Sequence, residues 1–266
     1  MKHKQLIILS ILLAGMVGIA IYNAFQYYGP PQLKEPYQLS GLEDDTIRIA
    51  YIGDSWAFMH KDHDCLIPKL LSDTLHYPVK VHSYGICGLT SKEFYENIFN
   101  NNDFRHFLHK RHYHYCFISA GINDTYKKMS TSYYQQSMDG IIQFFLANHI
   151  RPIILEIPDY DIEKCFERQK LPRKILRRLS MIVNQTPIDC KQRFRDALDN
   201  LKHHHGYDNQ IIILRYQLWN DKYEQDLKTL YLSDGLHLNN KGYERLDSVI
   251  TNQIIKYKSN IESLPE

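Results

Sequence analysis

The sequence predicts an α/β domain whose parallel sheet is covered by helices on both faces. Three observations carry this prediction. Five short apolar runs, several rich in β-branched residues, recur along the chain and suit buried strands. Stretches with helical spacing separate them, which is the alternation that builds a parallel sheet. Apolar residues make up 44% and charged residues 23% of the 266 residues, with no internal repeat or low-complexity segment in the domain, so a packed core is expected.

The first 25 residues stand apart from that domain. Met-Lys-His-Lys precedes an apolar run from Leu6 to Phe25, about 20 residues and enough to cross a bilayer as a helix. Lys2 and Lys4 ahead of it predict a cytoplasmic N-terminus and an external remainder. A cleaved signal peptide is the rival reading, with Gly18 and Ala20 as small residues at the cleavage positions. The run continues past Ala20, which favours a retained anchor. Residues 26–45 are rich in Pro, Gly and polar residues without helical periodicity, and read as a linker holding the domain, residues 46–266, off the membrane.

Within the domain, Thr46–Ile52 is the first expected strand, ending at Gly53. Leu66, Ile67, Leu70, Leu71 and Leu75 then recur at helical spacing. Val79–Tyr84 is the second strand and Ser91–Lys110 a largely helical stretch. Tyr113–Ala120 is the third strand, and Ser132–Asn148 a helix with Ile141, Ile142, Phe145 and Leu146 on its apolar side. Pro152–Ile157 is the fourth strand, followed by a charged helical insertion over 159–190. Asp189–His205 returns to helix, Gln210–Arg215 is the fifth strand, and Asn240–Tyr257 the closing helix.

Composition excludes little else. A net charge of +2 gives no reason to expect nucleic acid as the main partner. The five cysteines (Cys65, Cys87, Cys116, Cys165 and Cys190) show no C-x-x-C spacing, so no zinc or dithiol motif is indicated. An exported protein could form disulfides, an odd count leaves at least one thiol free, and Cys116 falls in an expected buried strand.

Ligands of such sheets bind beyond the carboxyl ends of the strands, and four short segments meet that test. Gly53-Asp54-Ser55-Trp56 follows the first strand, placing Ser55 where a helix N-terminus can stabilise negative charge. Taken alone it is an ordinary helix cap. Gly85-Ile86-Cys87-Gly88-Leu89-Thr90 follows the second strand; a glycine N–H there can approach a substrate closely, and the bland reading is a glycine turn. Gly121-Ile122-Asn123-Asp124 follows the third, where an Asn amide can donate to an oxyanion or merely cap a helix. Asp234-Gly235-Leu236-His237 precedes the closing helix: an Asp three residues before a His can orient the imidazole that takes a serine's proton.

Together, in this order, the four segments resemble the sequence blocks of the SGNH/GDSL hydrolases over roughly residues 46–257. The resemblance implies a three-layer, flavodoxin-like α/β/α sandwich with about five parallel strands. It implies Ser55 as nucleophile, His237 as general base and then acid, and Asp234 as its orienting carboxylate. It also implies an oxyanion hole from the Ser55 and Gly88 N–H groups and the Asn123 side chain. There are three departures from the family pattern: Trp56 in place of Leu, Ser83-Tyr84 in place of Asn-Ala, and Cys87 beside Gly88. None removes a catalytic group. An α/β-hydrolase elbow is the competing match to Gly53-x-Ser55-x-Ala57, but this Ser follows the first strand and Asp and His share one loop.

Other polar clusters read as solvated: His109, His112 and His114; His203, His204 and His205; and the basic run Arg173, Lys174, Arg177 and Arg178, for which anionic lipid or an acidic polymer is the functional alternative. His60, Asp62, His63 and Asp64 follow the Ser55 segment and either edge its pocket or form a polar loop. The expected activity is cofactor-free hydrolysis of an O-acyl ester, O-acetyl on carbohydrate, by an exported protein. Acetyl transfer to a sugar, a lipid esterase or thioesterase, and a non-catalytic carbohydrate-binding module are the alternatives.

Overall fold

The computed structural model describes residues 2–41 and 44–262; Met1, residues 42–43 of the expected linker and 263–266 of the expected domain lie outside the described residues. The apolar run forms one helix, α1 (Lys2–Tyr28), with Ile7, Leu9, Leu12, Met16, Ile19 and Tyr22 among its exposed large side chains. Five strands follow: β1 (Ile47–Gly53), β2 (Val79–Gly85), β3 (Tyr115–Ser119), β4 (Arg151–Leu155) and β5 (Ile212–Leu214). All pair in parallel, in the spatial order β2-β1-β3-β4-β5. Between β1 and β2 lie α2 (Ser55–His60) and α3 (Ile67–Leu75); between β2 and β3, α4 (Ser91–Asn100) and α5 (Asn102–His109). α6 (Ile122–Lys127) and α7 (Thr131–Ala147) join β3 to β4, and α8 (Ile162–Glu167), α9 (Leu171–Val183) and α10 (Lys191–His204) join β4 to β5. α11 (Tyr223–Leu230) and α12 (Asn240–Glu262) complete the chain.

Helices α4, α7 and α10 pack together as one layer, and α3 and α12 as the other. Both faces of the central strands are therefore covered. Ile49, Ala50, Tyr51 and Ile52 of β1 are fully buried, as are Phe117, Ile118, Ile153 and Ile154 beside them. Continuous apolar runs are what a doubly covered parallel strand requires; each large side chain so buried contributes about 1.5–3 kcal/mol. The strand order reverses beside β1, opening a crevice at the carboxyl ends of β1 and β3.

Several expectations change for local physical reasons. The stretch 91–110 is largely helical, as expected, and divides into two helices. Asn101 adopts an extended backbone, and its side chain accepts from the N–H groups of Asp103 and Phe104, ending α4 and capping α5. Helices α2 and α6, of six residues each, are too short for a hydrophobic period to reveal. α11 arises in the stretch after β5 to which the sequence assigns no element. The expected spacer is instead a strap along the domain. The Lys34 N–H donates to the Tyr95 hydroxyl (2.6 Å), the Tyr37 hydroxyl donates to the Ile98 carbonyl (2.9 Å), and the Leu39 N–H donates to the Asn148 side chain (2.7 Å). All five cysteines are free thiols, and Cys116 is buried in β3.

A buried carboxyl joins α6 to α4. Asp124 accepts the Ser91 N–H (2.8 Å) and the Ser91 hydroxyl (2.6 Å). Burial dominates those bonds and raises its pKa to about 7. A folded-state pKa above the unfolded one gives stability that is full below about pH 4 and lost as pH rises through about 7. Asp124→Asn keeps an acceptor for the N–H and a donor for the hydroxyl while removing the charge. The expected outcome is a stability difference, variant minus wild type, that grows more favourable from about pH 5 to about pH 8 in urea titrations; a pH-independent difference contradicts this account.

Candidate active site

The crevice at the ends of β1 and β3 is shaped by a backbone constraint. Gly53 ends β1 with φ +142°, and a Cβ there would overlap the Ser119 carbonyl of β3. No L side chain is accommodated, so the two strand ends meet at contact distance and the chain turns directly into α2. The Ser119 carbonyl accepts the Asp54 N–H (3.0 Å).

Asp54 is the residue whose importance the sequence reading missed; only its place between Gly53 and Ser55 signals it. It is 1% exposed, and its carboxyl accepts the Trp56 N–H (3.0 Å), the Ser119 hydroxyl (2.8 Å) and, more loosely, the Asn123 amide (3.4 Å). Burial pushes its pKa up to about 6, against the pull of the Trp56 and Ser119 hydrogen bonds. One amide hydrogen of Asn123 thus goes to Asp54, and the other remains for the cavity that Asn123 lines. Ser55 is the first residue of α2, so its N–H has no acceptor within the helix. Gly88 has φ +80° and open space where a Cβ would stand.

The other half of the site comes from a loop 182 residues further on. Tyr231 and Leu238 form an antiparallel bridge that pinches the loop shut. The Leu232 N–H donates to the His237 carbonyl (2.8 Å), and the Tyr223 hydroxyl donates to the Gly235 carbonyl (2.7 Å). One Asp234 oxygen accepts the N–H groups of Leu236 (2.9 Å) and His237 (3.0 Å); the other lies 2.6 Å from His237 Nδ1. Partial burial alone would raise the Asp234 pKa, but these hydrogen bonds outweigh it and hold the carboxyl below its ordinary range. An ionised Asp234 accepts from Nδ1–H, which leaves Nε2 as an acceptor. His237 Nε2 stands 2.9 Å from Ser55 Oγ. An unbroken chain from carboxylate through imidazole to hydroxyl is the arrangement that makes a serine hydroxyl nucleophilic.

These residues share one cavity of about 440 Å³, lined by Ser55, Gly88, Asn123, Asp234 and His237, with Met59, Ile122, Tyr126 and Leu236 as its apolar walls. Cys87, Cys165 and Arg168 also reach it, and Arg168 donates to the Asp234 carbonyl (3.2 Å). All five sequence-predicted site residues therefore meet in one place. A larger cleft of about 730 Å³, between Asp159, Lys191, Arg195 and Tyr223, holds none of them.

The remaining polar clusters lie elsewhere. His60 turns into the core, where Nε2 meets Asp247 (2.9 Å), Nδ1 meets the Ser83 hydroxyl (3.0 Å) and the ring stacks on Tyr51. None of His60, Asp62, His63 and Asp64 lines the Ser55 cavity. His60, Cys65 and Asp247 bring three ligand-type atoms within 4.8 Å, but Asp247 is already engaged by His60 and by the Leu66 N–H (2.8 Å). His109 meets the Ser40 hydroxyl (3.2 Å), His203 meets Asp208 (3.1 Å) and His205 meets Asp139 (3.1 Å).

No family model matches the chain, and no curated protein matches it. Solved structures do. A lipase/acylhydrolase from Enterococcus faecalis superposes with a TM-score of 0.52 at 14% identity, covering 78% of this chain and 95% of its own. A candidate SGNH hydrolase from Slackia heliotrinireducens gives 0.51 at 15%, over 79% and 99%. Axe2, an acetylxylan esterase from Geobacillus stearothermophilus, gives 0.50 at 14%, over 82% and 96%.

The glycine constraint is open to test. Gly53→Ala is expected to cost on the order of 3 kcal/mol or more, from forced φ and overlap with backbone that cannot yield. Chemical denaturation of the two proteins measures it, and a loss below about 1 kcal/mol contradicts the packing described. By strand order, helix layers and these superpositions, the chain has the SGNH/GDSL hydrolase fold.

Proposed function

We propose that this protein is an exported, membrane-anchored serine esterase that removes O-acyl groups, specifically O-acetyl groups, from carbohydrate. The observation that carries the reading is the Asp234–His237–Ser55 hydrogen-bonded chain at the wall of a cavity that Gly88 and Asn123 also line.

Ser55 Oγ attacks the ester carbonyl while His237 Nε2 takes its proton, and Asp234 stabilises the imidazolium that forms. The tetrahedral oxyanion is received by the Ser55 N–H, the Gly88 N–H and the Asn123 amide. His237 then returns the proton to the leaving alcohol. Water, activated by the same imidazole, cleaves the acyl-serine and releases the acid. Neither a metal nor an organic cofactor enters these steps.

The substrate assignment rests on size, chemistry and place. About 440 Å³ is a small-molecule pocket, and its apolar walls suit a short acyl group. Tyr126 lines the same cavity, and an aromatic side chain there suits contact with a sugar. Among structures with this fold is an acetylxylan esterase. α1, with 22 apolar-run residues from Ile7 to Tyr28, is long enough to span a bilayer and supports a retained anchor. Residues 46–266 then form the catalytic domain on the outer side.

The test is hydrolysis of a short-chain aryl acetate and of an O-acetylated oligosaccharide by the full chain in detergent. Ser55→Ala and His237→Ala are each expected to abolish nearly all turnover with unfolding unchanged. Asn123→Ala is expected to lower turnover by about 100–1000-fold, the loss of one oxyanion donor. Undiminished activity in Ser55→Ala overturns the mechanism. Release of the aryl alcohol that requires an added sugar acceptor, with the acetyl group recovered on that sugar and not as acetate, replaces hydrolysis with acetyl transfer.

A further inference from the structure

Helix α9 carries an apolar stripe that the domain does not use. Leu171, Ile175, Leu176, Leu179, Ile182 and Val183 are each at least half exposed, Ile182 at 74%. On a 3.6-residue period these six fall on one side of the helix. Half-buried Arg177 falls on the opposite side, and buried Ser180 on the flank next to Leu176, both against the domain. Arg178 borders the stripe beside Leu171, Arg173 lies on the other flank just past Ser180, and both are exposed. Soluble surfaces seldom keep so large a contiguous apolar patch without something to cover it.

What lies beside the stripe is the end of α1. The Tyr28 hydroxyl and the Ser180 hydroxyl of α9 are 2.7 Å apart. The Arg177 guanidinium sits beside the Tyr27 hydroxyl. Lys92 of α4 donates to the carbonyls of Gln26 (2.6 Å) and Gly29 (3.0 Å). The strap through Lys34, Tyr37 and Leu39 then fixes the following chain to the same side of the domain. Where α1 spans a bilayer, Tyr27 and Tyr28 fall at the headgroup level that aromatic residues favour. α9 is held at that same level.

We propose that α9 lies in the plane of the bilayer surface. Its apolar stripe enters the boundary between headgroups and acyl chains, and Arg173 and Arg178 pair with anionic headgroups. The proposal rests on the membrane part of the reading above and is independent of ester cleavage. Because Cys165 and Arg168, on the segment leading into α9, line the Ser55 cavity, seating α9 also fixes that cavity beside the membrane surface.

The full chain is reconstituted in vesicles of phosphatidylcholine and phosphatidylglycerol, with or without brominated acyl chains. Trp56 and Trp219 are buried in the core and give a constant background. Ile182→Trp is expected to lose emission in brominated vesicles. Asp73→Trp, at an exposed position on α3 in the opposite helix layer, is expected to retain it. Adding Arg173→Glu and Arg178→Glu to Ile182→Trp is expected to reduce the loss. Vesicle flotation reports α1 separately: a chain that does not float overturns the anchor and this proposal with it. A chain that floats with Ile182→Trp emission equal in both vesicles overturns the seating of α9. If that chain also cross-links to itself through α9, a second copy covers the stripe. Ser55-dependent ester hydrolysis in either case leaves the catalytic reading standing.

Discussion

The Asp54 carboxyl, shut away from solvent, receives the Trp56 N–H at the start of α2, the Ser119 hydroxyl at the end of β3 and the Asn123 amide in α6. Burying a carboxyl is costly unless donors surround it, and here each donor belongs to a different element of the crevice. The same contacts set the spacing of Ser55 and Asn123, because one adjoins Asp54 in the chain and the other is bonded to it. Gly53 supplies the complementary constraint by letting β1 and β3 touch backbone to backbone. The proposed nucleophile and the proposed amide donor are thereby positioned by the core and not by a surface loop. This is the preorganisation that electrostatic stabilisation of an oxyanion demands.

The acid–base half depends on a different part of the molecule. Asp234 and His237 ride on a loop closed by the Tyr231–Leu238 bridge and buttressed by Tyr223 of α11. The Ser55–His237 contact exists only because α12 packs in the helix layer beside α3 and brings that loop over the end of β1. Arg168, from the segment between α8 and α9, donates to the Asp234 carbonyl and links the insertion to the loop. The insertion in turn meets the end of α1 through Ser180 and Tyr28. Contacts therefore run from the proposed anchor to the proposed catalytic loop.

Much of this was legible in the residues. Strand runs such as Thr46–Ile52 and Pro152–Ile157 predict a doubly covered parallel sheet because buried strands must be apolar on both faces, and β1 and β4 appear there with their ends shifted by one or two residues. That the five candidate residues gather in one place was readable because each lies within a few residues of a strand's end or of the closing helix. What was not legible has no local period. α2 and α6 complete fewer than two turns. The break at Asn101 depends on one side chain choosing the backbone N–H groups of Asp103 and Phe104. Asp54 looks like any helix cap until Ser119 and Asn123 close around it. His60, polar and near Ser55 in sequence, turns away because Asp247, 187 residues on, offers it a buried partner. The strap of residues 34–39 reads as a spacer because its partners Tyr95, Ile98 and Asn148 are remote in sequence.

The central claim is that His237, held by Asp234, makes Ser55 a nucleophile. Its most direct test is covalent: the full chain in detergent is treated with a fluorophosphonate, and intact mass and peptide mapping locate the adduct. The account predicts one phosphonyl adduct, on Ser55, forming far more slowly in His237→Ala. An adduct on another residue, or labelling of Ser55 at an equal rate without His237, would contradict it.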